Sequence, residues 1–285
     1  MAKPFIDIQG QIQQLIDRGL IIRDQLYAKD CLTNEVNYYK LNGYFHLFYS
    51  KPDVFEKNIT FENIMEIYHF DLHLKNLILF YSSIIEISFK NYVSYIHTKK
   101  YGTLGYLNAA NFNEPPKQYD FISKAYSSIS LNDKQNFIRH HTLKCNSEFP
   151  LWVLMEIVSF GNISKFYKNM LKADKTELCK TYYQYKWKYV ENWIRCVVTI
   201  RNYSAHNMKL FNTNFTEYVC LYSQEKTKVV NNKLFAFILI IYRLLPEEYR
   251  EKYKNSLSKI IERYPFAKQR IDFPNDWQNL FDNGS

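Results

Sequence analysis

Glycine and proline are scarce in this chain, 7 and 8 residues among 285. A β-rich protein of that size needs many tight turns, and turns draw heavily on these two residues, so the scarcity argues against a sandwich or barrel. Cysteine is equally thin. The five thiols, at 31, 145, 179, 196 and 220, form no Cys-x-x-Cys pair and leave an odd count. That points away from a disulfide framework. The opening stretch MAKPFIDIQG carries no secretory apolar core, and with unpaired thiols it predicts a reducing, cytoplasmic setting. The longest apolar run, LFAFILIIYRLL at 234–245, is well short of the roughly 20 residues that cross a bilayer. A buried helix is expected there, and no membrane partner. The loops GxxxxGK[ST], GxGxxG and GxSxG are missing as well, so nucleotide-driven and serine-hydrolase chemistries lack their usual scaffolds. No cofactor is expected.

What is present is apolar, aromatic and basic. Hydrophobic residues make up 47% of the chain, enough for a folded core. The 25 Tyr, 21 Phe and 4 Trp fill that core for the most part, although tyrosine also stacks on nucleobases. Lys and Arg exceed Asp and Glu by 37 − 28 = 9. An excess of that sign favours a polyanionic partner, nucleic acid before an anionic membrane surface. The lysines are dispersed, so a solvated basic surface explains part of the excess.

Helical periodicity dominates the chain. Helices are expected within 8–28, broken at DRGLII, and as a short helix within 31–50, followed by an aromatic cluster around Gly43. Thr60 suits an N-cap for a long helix to about 98. The stretch 101–119 reads as the most loop-like. Further helices are expected at 119–139, 151–171, 174–210 and 232–263, the last broken at Pro246. With no internal repeat and no low-complexity linker, the expectation is one all-α domain over 1–285 with N- and C-terminal helical extensions.

The chemistry concentrates in IRNYSAHNMKLF, residues 200–211. On a helix, Val190, Trp193, Ile194, Val197, Ser204, Ala205 and Met208 share one face, and Arg201 falls near its middle. A guanidinium there must be paired or face an interface, because an unpaired buried charge is costly. Arg195, Asn202, His206 and Lys209 form a polar stripe elsewhere on the helix. On a straight helix Arg201 and His206 stand about 140° apart. They meet at one phosphate only if the helix bends or a second copy completes the site, and the second option predicts a homodimer. The plain alternative is a structural salt bridge for Arg201 and an exposed, idle His206. Glu86 interrupts an apolar run on a narrow stripe with Lys75, Ser82 and Lys90. It either pairs with Lys90 or orients Arg201 or His206. A metal reading competes: Glu66, His69 and His73 have ligand spacing, but no second Glu-x-x-His follows. HHTLKC at 140–145 likewise lacks a matching second pair. No metal site is expected.

The motif also resembles the Arg-x4–6-His signature of HEPN ribonucleases, with Arg201, Asn202 and His206 in its positions. Around it, NYYKLNGYFHLFY, FDLHLKNLILFYSSIIEISFKN, FPLWVLMEIVSFGNISKFYKNM and WIRCVVTIRNYSAHNMKLFN follow in an order similar to bacterial abortive-infection Abi-like proteins of the AbiD/AbiF type. The resemblance covers roughly 4–215 and leaves 216–285 as an undistinctive C-terminal extension. It implies a HEPN-like helical bundle, phage defence and RNA as substrate or partner, and the expectation built on it is a toxin that cleaves RNA without metal at a composite site in a homodimer, with an antitoxin as a further candidate partner. Arg201, His206 and Asn202 would be catalytic, Glu86 supporting, and Arg195 and Lys209 would grip RNA. The alternative it leaves open is a non-catalytic module holding a structured small RNA. Lys209 and Phe211 stand where many relatives carry Arg and Trp, which bears on partner contacts more than on chemistry.

Overall fold

A computed structural model describes residues 4–282. In chain order the helices and strands are α1 (Ile8–Asp17), α2 (Gln25–Asp30), α3 (Tyr38–Phe45), β1 (Tyr49–Lys51), β2 (Val54–Phe55), α4 (Phe61–Tyr101) and α5 (Pro115–Leu131). Then come α6 (Asn136–Lys144), α7 (Leu151–Ile157), α8 (Phe160–Asn169), α9 (Lys172–Tyr182), α10 (Trp187–Ala205), α11 (Leu234–Leu244), α12 (Glu247–Arg263), α13 (Pro265–Arg270) and α14 (Asn279–Asp282). The protein is 68% helical, and the sheet among the described residues is a two-stranded antiparallel hairpin. The fold is all-α, as the periodicity implied. Among the described residues no helix is long and apolar enough to cross a membrane.

Local chemistry accounts for most boundaries. Thr60 caps α4 as expected: its hydroxyl accepts from the Asn63 amide at 3.2 Å, while the Asn63 side chain accepts from the Thr60 amide at 3.1 Å. This is a capping box with asparagine in the glutamate role. Pro246 separates α11 from α12, where its ring cannot continue a helix. Three expected helices are each divided. The 119–139 segment becomes α5 and α6. The 151–171 segment becomes α7 and α8, the latter capped by Ser159, whose side chain accepts from the Asn162 amide. The 174–210 segment becomes α9 and α10, with Gln184 in left-handed backbone between them at φ 60°. The stretch 101–119 is less irregular than expected: it holds two single-turn 3-10 helices, and α5 already starts at Pro115, proline being favourable in a first turn.

The chain divides into two compact units, Met1–Leu77 with Tyr203–Thr213 and Asn255–Asp272, and Ile78–Asn202 with Asn214–Lys254 and Phe273–Ser285. The core of the first is aromatic. Phe45 meets Phe55 edge-on at 5.6 Å, Phe70 meets Phe211 at 5.8 Å, and Phe48 stacks on Phe266 at 5.9 Å. In the second, α11 is buried from Leu234 through Ile241 without interruption, so it is apolar around its circumference and not along one stripe. Each such side chain contributes roughly 1.5–3 kcal/mol over leaving it in water. Arg243, in the last turn of α11, is 1% exposed and forks onto the buried Glu225 carboxylate.

Candidate functional site

The C-terminal end of α10 is where the structure departs most usefully from the sequence. The Met208 amide donates to the Tyr203 carbonyl at 2.8 Å and the Asn207 amide to the Ser204 carbonyl at 3.0 Å. Asn207 has φ 55°. This pair of bonds around a left-handed residue is a Schellman closure, and asparagine is among the few non-glycine residues that adopt it readily. The helix expected to reach 210 therefore stops at Ala205, with His206 as the cap residue. Ala205 and Met208, expected on the apolar face, are exposed because that face ends with Ser204.

Arg201 and Asn202 lie in the last turn of α10. The buried face of the helix comprises Val190, Trp193, Ile194, Val197, Ile200 and Ser204, and Arg201 borders it, half-buried. Its Nη1 donates to the Asn202 side-chain oxygen at 3.3 Å. Among the described residues it has no carboxylate partner, so the structural salt bridge is not what holds it. Because the guanidinium keeps part of its hydration, its charge does not carry the full burial penalty that the helical wheel implied. His206 is exposed and has no hydrogen-bond partner among the described residues.

The other candidates are already engaged. Arg195 pairs with Glu217 at 2.9 Å, an exposed pair of the kind that contributes about 1 kcal/mol or less. Lys209 donates to the Gly43 carbonyl at 3.0 Å and approaches the His46 Nε2 at 3.1 Å. Burial, and then the Lys209 charge, lower the His46 pKa. Glu86 meets Lys90 at 2.9 Å, one turn along α4, and no bond joins it to Arg201 among the described residues. Lys75 and Ser82, placed with Glu86 on a polar stripe, are in fact buried. The metal-spaced residues are taken up as well. Glu66 accepts from the Phe266 amide at 2.7 Å at the start of α13, His69 pairs with Glu35 at 2.8 Å, and the His73 Nδ1 lies 2.9 Å from the Tyr264 hydroxyl. Among the described residues no cluster of three His, Cys, Asp or Glu could hold a metal ion.

One element beside the motif is not among the sequence expectations. The chain just past His206 is gripped by a charged cluster buried in the first unit. Asp71 is fully buried and accepts from the Tyr44 hydroxyl at 2.7 Å, from the Leu210 amide at 3.1 Å and from the Phe211 amide at 2.9 Å. Lys75, 2% exposed, pairs with Asp71 at 3.0 Å and donates to the Asn207 side-chain oxygen at 3.1 Å. Lys40 adds a bond to the Asn207 carbonyl. Burial, and then the Asp71 charge, push the Tyr44 hydroxyl far up, so it stays a neutral donor. A signal for the cluster lies in FDLHLKN: two opposite charges one turn apart inside an apolar run, which is how a buried pair reads on a helix.

A protein-family model described as Abi-like protein matches residues 32–212, a span that includes both the Asp71 cluster and the end of α10. No curated protein and no solved structure matches the chain. A match over that share of the sequence settles its kinship, and kinship of this kind suggests abortive infection, a form of phage defence: the chain belongs to the Abi-like protein family.

Proposed function

We propose that the protein is a HEPN-type endoribonuclease of phage defence, of the AbiD/AbiF type, acting as a toxin in the cytoplasm without a metal. The observation that carries the reading is the contrast at the end of α10. Arg201 and His206 are left without acidic or hydrogen-bonding partners among the described residues, apart from the Asn202 amide, while the backbone beside them is fixed by a Schellman closure. A guanidinium matches the oxygens of a phosphate in a bidentate manner and stabilises the charge that develops on them. An imidazole takes and gives protons near neutrality.

The chemistry balances without a co-reactant. The RNA 2′-hydroxyl loses its proton to a base and its oxygen attacks the adjacent phosphorus. The bond to the 5′-oxygen breaks, that oxygen takes a proton from an acid, and the products are a 2′,3′-cyclic phosphate and a 5′-hydroxyl. His206 serves as one of the two proton-transfer groups, and His206 of a second copy supplies the other in a homodimer. Arg201 binds the non-bridging oxygens, and Asn202 positions the phosphate. Arg195 and Lys209 exchange their present partners for backbone phosphates. Glu86 supports the helix through Lys90, and an antitoxin, RNA or protein, restrains the activity.

The test is purification of the wild type and His206→Ala, followed by incubation of each with RNA in EDTA. Cleavage by the wild type that falls at least about 100-fold in the variant is expected, the usual contribution of a general acid or base. Equal cleavage by both proteins would remove His206 from the chemistry. RNA that co-purifies equally with both and is cut by neither would leave a binding module instead. A monomeric mass by light scattering at micromolar concentration would refute the dimer.

A further inference from the structure

The second unit contains a cleft of about 760 Å³ whose lining includes six tyrosines. Its volume falls in the range of small-ligand sites. Two pairs of rings border it: Tyr92 and Tyr182 stack at 3.8 Å with 7° between their planes, and Tyr189 and Tyr222 lean together at 4.7 Å. All four are half-buried, so ring surface faces the cleft instead of lying wholly within the core. Arg250 lines the same cleft. Its Nε donates to the Leu245 carbonyl at 3.1 Å and its Nη2 to the Arg243 carbonyl at 3.3 Å. Those bonds fix the guanidinium while leaving Nη1 with two hydrogens to offer. Among the described residues Arg250 has no carboxylate partner, although Glu247 borders the cleft too and sets a limit on the negative charge it accepts.

Tyr183 also lines the cleft, but its hydroxyl is sealed from it. Gln184 and Ser223, both exposed, add amide and hydroxyl groups at the rim.

From this arrangement we propose that the cleft binds one nucleotide unit, its base against the tyrosine rings and its phosphate on Arg250. Stacking on an aromatic side chain contributes about 1–3 kcal/mol per base and tolerates any base, and the fixed guanidinium supplies the charge-assisted bonds that a phosphate takes. The site lacks any glycine-rich phosphate loop, which accounts for its silence in the sequence motifs. The same chemistry is presented by a free nucleoside monophosphate and by one residue of a single-stranded RNA. The proposal does not depend on RNA cleavage at His206.

The experiment is isothermal titration of the full chain with AMP, with adenosine, with inorganic phosphate and with an octameric oligoadenylate. The variants are Gln184→Glu, which adds a negative charge at an exposed rim position, and Arg250→Gln, with circular dichroism to confirm folding. AMP is expected to bind at one equivalent per chain, adenosine more weakly, and phosphate alone not measurably. Both variants should weaken AMP at least tenfold while leaving adenosine within about twofold. Binding of the oligonucleotide with the same sensitivity, but not of AMP, would place the nucleotide in an RNA chain and uphold the site. No binding of either at millimolar concentration, or binding of either that both variants leave unchanged, would overturn it.

Discussion

Asp71→Ala tests how the segment beyond His206 is held. In the folded protein the carboxylate receives three hydrogen bonds and one ammonium, and neither it nor Lys75 reaches water appreciably. Removing it strands the Lys75 charge in the interior, which costs about 3–5 kcal/mol. The Tyr44 hydroxyl and the Leu210 and Phe211 amides lose an acceptor as well, at about 1–3 kcal/mol for each buried donor that stays unsatisfied. These penalties share one cavity and do not add, so a loss of about 4 kcal/mol is expected. Against the usual 5–15 kcal/mol of total stability that is large, and at about 2–4 °C per kcal/mol it lowers Tm by about 8–16 °C. Lys75→Met should cost less, because Asp71 keeps its three hydrogen bonds. The double variant removes the stranded charge, so it should lose about 2 kcal/mol less than the sum of the singles. Urea denaturation followed by circular dichroism reads all four states. A loss under about 1 kcal/mol for Asp71→Ala, or strict additivity in the double variant, would refute the buried-pair reasoning.

Two further outcomes follow from the same physics. Burial lowers the His97 imidazole from 6.5 to about 4, outweighing the raising effects of the Gly105 backbone and of Asp174. The unfolded chain takes up this proton near 6.5 and the folded protein does so only near 4. The stability held above pH 6.5 is therefore lost as pH falls through that window, by an amount on the order of 3 kcal/mol. His97→Leu should flatten that part of the pH dependence in denaturation midpoints, and an unchanged slope would place the proton uptake elsewhere. At the left-handed Asn207, glycine removes the backbone strain that alanine incurs. Both replacements lose the Lys75 bond, so Asn207→Gly should be the more stable of the two by about 1 kcal/mol in the same assay. Equal stability would argue against the Schellman closure.

The all-α class and the long α4 were legible because each rests on a pattern carried within the sequence: 3.6-residue periodicity, and a Thr cap ahead of an apolar run. The buried α11 was legible for the opposite reason, an apolar stretch too short for a membrane. What failed was where helices stop. The periodicity of α10 continues past Ala205 to Met208, so the pattern alone carries the helix to 210. The terminator is Asn207, and an asparagine in a polar stretch looks the same whether it is helical or left-handed. The breaks between α5 and α6 and between α7 and α8 were hidden similarly, the second by Ser159 acting as a cap in an apolar context. At the end of α10, Arg201, Asn202 and His206 stand out as candidates by residue type alone. Asp71 and Lys75 carry a local signal as an i,i+4 pair, but their grip on Asn207, Leu210 and Phe211 comes from contacts more than a hundred positions away.

The charged side chains fall into two groups by their pairing. Arg195, Lys209 and Glu86 each have a partner within the protein, and Asp71 and Lys75 have several. A chain that surrounds its buried carboxylate with four donors has ample means to pair an arginine. Yet Arg201 meets only a neighbouring amide, and His206 meets nothing among the described residues. Side chains that meet a ligand need rigid support from groups committed to internal bonds. The Schellman closure and the Asp71 cluster supply that support on the C-terminal side of His206. On the proposed reading, this division between paired support and unpaired motif is what distinguishes the end of α10 from a polar-speckled helix.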